Sequence, residues 1–157
     1  MKVIFLDVDG VLNTIFTTRR VYNYTFVDTR KVLRLRDIVE RTGAKLVLSS
    51  TWRIRDLPIH QLTYDALKAE FERVHCPIWE DCTPIMPGAK RWQEINAWLM
   101  LHEVDDFIIL DDWADELKPF ADRLVQTRPR DGLNKERAEL AISMLNKENT
   151  NEWHTRN

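Results

Sequence analysis

Val3-Ile4-Phe5-Leu6-Asp7-Val8-Asp9-Gly10 is the stretch that decides the fold. Four apolar residues run directly into two carboxylates and a glycine. An unbroken apolar run of this length reads as a strand buried on both faces, and such strands belong to parallel sheets. Polar chemistry then falls at the strand's carboxyl end, where open parallel sheets bind their ligands.

The same pattern recurs twice. Leu46-Val47-Leu48 ends in Ser49-Ser50, and Phe107-Ile108-Ile109-Leu110 ends in Asp111-Asp112. Helical segments are expected between these runs. Over 29–42, Val32, Leu35 and Val39 recur at helical spacing, with Asp28 or Thr29 to cap the start and Gly43 to end it. Further helices are expected over 62–74, 89–102 and 134–146, with a short one after Asp112. Weaker strand signals lie at Val74–Trp79 and Leu124–Thr127. Strands alternating with helices imply an α/β protein whose parallel sheet is covered on both faces. Residues 13–28 are aromatic and basic with little periodicity, and are expected to form a loop or small hairpin over the strand ends. The polar stretch 147–157 reads as a frayed tail after a single domain over 1–146.

Bulk composition narrows the function. A chain of 157 residues, 44% hydrophobic and 31% charged, can bury a sizeable core without disulfides or metal staples. A net charge of −2 gives no global pull toward nucleic acid or anionic membranes, so any polyanion must be met by a local patch. Cys76 and Cys82 are not in a CxxC arrangement, and with His60 and His75 they match no common zinc spacing. Reduced thiols and a cytoplasmic setting are expected. The first apolar run is too short for a signal peptide, and no stretch approaches the roughly 20 apolar residues of a membrane span. No obligate protein partner is evident.

Carboxylates at neighbouring strand ends, with no thiol or imidazole set beside them, favour a hard cation held by oxygen, above all Mg²⁺. A carboxylate also serves as a nucleophile toward phosphorus. Phosphoryl transfer chiefly needs in-line positioning and charge neutralisation, which a metal, a serine hydroxyl and a cation from Lys90-Arg91 would supply.

Taken in chain order, Asp7-Val8-Asp9-Gly10-Val11, Leu48-Ser49-Ser50, Lys90 and Leu110-Asp111-Asp112 resemble the four motifs of the haloacid dehalogenase (HAD) superfamily of phosphohydrolases. Ser49-Ser50-Thr51-Trp52-Arg53, Glu94-Ile95-Asn96-Ala97-Trp98-Leu99 and Gly132-Leu133 further resemble a small, nearly capless branch associated with nucleic-acid end repair. The resemblance implies a three-layer α/β/α Rossmann-like fold on a mainly parallel five-stranded sheet, with a minimal cap near 13–28.

It also implies roles. Asp7 would be the nucleophile and Asp9 the general acid/base. Ser49, or Ser50 in its place, would hydrogen-bond the phosphate, and Lys90, or Arg91 in its place, would neutralise it. Asp7, Asp9 through its carbonyl, and Asp111 would hold Mg²⁺, with Asp112 in support. Gly10 would permit the sharp exit from the strand. Arg53 and Arg55 are candidate clamps on a substrate phosphate, against the plainer role of a solvated turn. Arg19 and Arg20, interleaved with Tyr22 and Tyr24, suit stacked bases or simple loop packing alike.

The expected activity is phosphomonoester hydrolysis on a nucleic-acid end, a nucleotide or a small metabolite. Two other classes share these parts: a phosphoacceptor signalling domain, and a non-catalytic module on the same fold. The second carboxylate two residues after Asp7 argues for turnover, and four complete motifs argue against a dead site.

Overall fold

The computed structural model describes residues 1–147. The tail expected over 147–157 lies, from residue 148 on, outside them.

The main sheet has five strands, β1 (Lys2–Leu6), β4 (Lys45–Leu48), β5 (Asp81–Cys82), β6 (Asp106–Asp111) and β7 (Leu124–Gln126), in the order β5-β4-β1-β6-β7. All four pairings are parallel. β1 sits in the centre, pairing Leu6 with Leu48 on one side and with Leu110 on the other. The backbone ladder continues past the strand ends, because Asp7 N–H donates to Leu110 O (3.0 Å) and Ser49 N–H to Leu6 O (3.0 Å). Asp7, Ser49 and Asp111 are therefore held at one level.

Period-two alternation divides the apolar residues between two cores. Ile4, Leu6, Leu46, Leu48, Ile108 and Leu110 face the cluster beneath α1 (Thr29–Thr42), α2 (Pro58–Arg73) and α4 (Lys135–Asn146). Val3, Phe5, Val47 and Ile109 face the cluster with Ile95 and Trp98 of α3 (Arg91–Met100) and Leu117 of the 3₁₀ segment Ala114–Arg123. The result is the expected three-layer α/β/α arrangement. The chain leaves β1 toward β4 and β5, then returns to β6 on the other side. This puts the topological switch point between β1 and β6, directly at Asp7 and Asp111.

α1 follows its sequence signals closely. The Asp28 side chain accepts from Arg30 N–H, and Gly43 ends the helix with φ +72°. α2 begins at Pro58, four residues before the expected start, because proline at the first helical position loses no hydrogen bond. The strand expected at Val74–Trp79 is absent. His75 there has φ +56°, and the apolar residues pack on α2 instead, with Trp79 edge-on to Phe71 and donating to the Tyr64 hydroxyl. The edge strand β5 lies just beyond.

The region 13–28 forms a two-stranded hairpin, β2 (Arg20–Val21) and β3 (Tyr24–Thr25), with Tyr22 at φ +54° in its turn. Cys76 and Cys82 are unpaired, and burial pushes the Cys76 thiol up to about 12. No helix among the described residues is long and apolar enough to cross a membrane.

Candidate active site

Asp7 and Asp111 are buried at the ends of β1 and β6, and carboxylate oxygens of Asp7, Asp111 and Asp112 lie within 4.8 Å of one another. Arg91, the first residue of α3, reaches across with Nη1 at 2.7 Å from Asp111 Oδ2 and 3.3 Å from Asp7 Oδ1. Burial and the adjacent Asp111 raise the Asp7 carboxyl well above the usual carboxylate range, against the pull of Arg91. Burial and Asp111 likewise raise Asp112. Burial lowers the Arg91 pKa, but Asp7 and Asp111 outweigh it and leave the guanidinium more firmly charged than usual.

Such a set fits a hard divalent cation. It offers only carboxylate oxygens, and one guanidinium leaves three carboxylates undercompensated. The oxygens are unequally free. Asp111 Oδ1 accepts from Trp113 N–H (2.9 Å) while its Oδ2 takes Arg91. Asp112 lies over Gly10 so closely that a Cβ there would come within 2.2 Å of its Oδ2. Gly10, at φ +79°, is thus required both by its backbone and by this approach.

Of the basic pair at the start of α3, Arg91 enters the site. Lys90 occupies the cap position with its side chain exposed and its N–H given to Gln93 Oε1. The serines also part. Ser50 Oγ accepts from Trp52 N–H and caps the 3₁₀ turn Thr51–Arg53. Ser49 Oγ, at the end of β4, is buried without a partner among the described residues, a costly state for a hydroxyl unless a ligand completes it.

Asp9 is exposed, and both its oxygens are held: Oδ1 by Asn13 Nδ2 (2.9 Å) and Oδ2 by Trp52 Nε1 (3.1 Å). Asn13 Oδ1 in turn accepts Gly10 N–H (2.9 Å). Neither Asn13 nor Trp52 is a candidate from sequence. Asn13 had one available signal, an amide side chain one turn beyond a glycine exit. Trp52 carries no chemical mark beyond its place after the serines.

The four arginines offered from sequence for substrate binding lie outside the carboxylate cluster. Arg53 is neither a solvated turn residue nor free toward the cluster. It is 5% exposed and donates to Ser49 O, Ser50 O, Thr83 O and Pro84 O and to Glu94 (2.8 Å), which commits all its N–H groups. Arg19 pins the hairpin to α2 through Glu70, Thr29 and Val27 O. Arg20 donates to Thr25 Oγ1, and Arg19 and Arg20 line a separate groove with Glu70 and Arg73. Arg55 is exposed and rests over the Tyr64 ring at 4.3 Å. The structure brings none of them to the carboxylate cluster.

A central parallel strand ending in DxDG, with Ser49, Arg91 and an aspartate pair arriving from its neighbours at the switch point, defines the class of HAD-type phosphohydrolase domains. More narrowly, residues 3–138 match the family described as the HAD domain in Swiss Army Knife RNA repair proteins, and the chain belongs to that family. No curated protein and no solved structure matches it.

Proposed function

We propose that this domain is a Mg²⁺-dependent phosphomonoesterase acting on terminal phosphates of RNA, in the cytoplasm, through an aspartyl-phosphate at Asp7. The observation that carries the reading is the buried, unpartnered Ser49 Oγ beside a nucleophile already paired with Arg91. A phosphate placed against Asp7 supplies the acceptor that Ser49 lacks. The RNA end is taken from the family's description, and the slight hairpin cap agrees with it by leaving room for a bulky substrate.

Asp7 attacks phosphorus through a carboxylate oxygen as the bond to the leaving oxygen breaks. Asp9, oriented by Asn13 and Trp52, gives its proton to that oxygen. Asp9 then takes a proton from water, the water oxygen attacks phosphorus, and the Asp7–phosphate bond breaks to regenerate the carboxylate and release inorganic phosphate. Ser49 and Arg91 hold the phosphoryl oxygens, and Asp111 fixes Arg91. Asp7, the Asp9 carbonyl and Asp111, with Asp112 in support, are the groups that would hold the cation, since a carboxylate oxygen that accepts one hydrogen bond keeps a second lone pair. When bound, the cation supplies neutralising charge to the phosphoryl oxygens.

The test is phosphate release with Mg²⁺ from RNA oligonucleotides bearing 3′- or 5′-phosphates, compared with Asp7→Asn. Turnover that vanishes in the variant supports the reading. No release from any end, or equal release by the variant, overturns it, and a phosphoprotein stable for hours would favour a signalling role.

A further inference from the structure

A cleft of about 280 Å³ opens beside Asp9, and neither Arg91 nor its carboxylate partners are among the described residues lining it. Its walls include Tyr24 from the hairpin, Trp52 and Ile54 from the turn after β4, and His60 from α2. The Tyr24 hydroxyl meets His60 Nε2 at 3.4 Å, and their rings stand at 61° with centroids 6.4 Å apart. His60 is itself held by Asp56 through Nδ1. The hairpin and α2 thus close the cleft with aromatic rings from two elements.

Three properties identify its occupant. Asp9 lines the cleft, and Asp9 is the group placed to protonate the leaving oxygen, so the leaving group must lie there. The walls are aromatic and apolar, which suits a planar ring, since stacking on aromatic side chains is indifferent to base identity. The charged walls are Asp9 and Asp56, and no Lys or Arg is among the described residues lining it, which disfavours a second phosphate. At the small end of ligand pockets, which run about 300–1,000 Å³, it has room for one nucleoside.

We propose that this cleft binds the base of the nucleotide whose phosphate is removed, with Tyr24 and His60 as specificity residues. The proposal rests on the phosphomonoesterase reading, because Asp9 is what orients the leaving group toward it.

Kinetics on nucleoside 3′- and 5′-monophosphates, matching RNA ends, and ribose phosphates lacking a base test it. The quantity read is the preference for base-bearing over base-less ester, as a ratio of kcat/KM. In Tyr24→Ala that ratio is expected to fall roughly 5- to 100-fold, the range for loss of one stacking contact. Tyr24→Phe should restore most of it, as a merely structural hydroxyl would not. Comparing 3′ with 5′ esters shows which nucleotide geometry seats the base.

Equal use of base-bearing and base-less esters by the wild type overturns the proposal. So does a ratio unchanged in Tyr24→Ala, or a Tyr24-dependent preference for a phosphotyrosine peptide over every nucleotide. Binding separates the two levels. Adenosine monophosphate should quench the tryptophan fluorescence of Asp7→Asn, and Asp7→Asn/Tyr24→Ala should lose the quench. If no ester is hydrolysed but that pattern holds, the cleft stands and the phosphatase reading falls. Hydrolysis without a Tyr24-dependent quench removes the cleft alone.

Discussion

Replacing Asp7 by Asn should make the metal-free protein more stable while abolishing turnover. The magnitude follows from the site. Asp7 has two carboxylate neighbours within 4.8 Å. At an effective dielectric of about 20, each like-charge pair at that outer limit costs ~3.5 kcal/mol, and more at any shorter separation. Arg91 Nη1, 3.3 Å away, returns ~5 kcal/mol on the same scale. The balance is about 2 kcal/mol against the ionised Asp7, before its desolvation is counted. An isosteric amide removes that cost, and in a chain of this size 2 kcal/mol is roughly 4–8 °C in Tm.

The assay is thermal unfolding in EDTA and in Mg²⁺ across pH. The folded Asp7 holds its proton to higher pH than the unfolded carboxyl, whose ordinary value is 3.8. Wild-type stability in EDTA should therefore be fully present below that value and decline as pH rises through the raised folded pKa. Asp7→Asn should lack this decline, and Mg²⁺ should raise the wild-type Tm more than that of the variant. An Asp7→Asn protein that melts below wild type in EDTA at neutral pH would refute the electrostatic reasoning.

Three further outcomes are expected. Arg91→Ala should lower kcat/KM for phosphate release by about 10²–10³, the usual cost of one transition-state donor, whereas Lys90→Ala should stay within about twofold, as for other surface changes. Arg53→Met should lower stability by about 3–5 kcal/mol in urea titrations, because it strands Glu94 and four carbonyls; a raised KM with an unmoved urea midpoint would restore Arg53 as a clamp. Burial works against ionised Glu70, but hydrogen bonds from Arg73, Arg19 and Thr29 outweigh it and hold its pKa at about 2. The hairpin's anchorage should thus be intact above pH 4.5 and weaken as pH falls from there through about 2, and Glu70→Gln should flatten that acid limb of stability.

The strands of the sheet were legible because their signal is local. Apolar runs ending in polar residues mark β1, β4 and β6, and motif order places them side by side. The edge strand was not, since the two residues Asp81–Cys82 carry no periodicity and the apolar residues before them are buried by α2 instead. Lys90 and Arg91 could not be separated by residue type, because both are cations. A step of one residue turns a helical side chain by about 100°, and it is the start of α3 that aims Arg91 at Asp7 and leaves Lys90 outside. Arg53 reads from sequence as a clamp or a solvated turn residue, because a guanidinium suits phosphate, water and carbonyls equally. Only the tertiary placement of Thr83, Pro84 and Glu94 around it decides between them.

On the proposed function, metal dependence and substrate choice share one electrostatic cause. The cluster of Asp7, Asp111 and Asp112 carries three carboxylates against one guanidinium, and that guanidinium is already engaged by two of them. A phosphomonoester brings about −1.5 to −2 more charge at neutral pH, and the protein's own cation cannot offset both. Phosphate and divalent cation must therefore favour each other's binding, a coupling that is reciprocal by thermodynamic necessity. The cation serves only the phosphoryl side, however. On the leaving-group side the carboxylates are Asp9, held by Asn13 and Trp52, and Asp56, held by His60, and no Lys or Arg is among the described residues lining the cleft. A second phosphate there meets two carboxylates and no Lys or Arg, while an uncharged ring meets a stacking surface. The charge pattern that calls for a metal at Asp7 thus also favours a neutral, planar ring for the part of the leaving group that enters the cleft, with any further phosphate outside it.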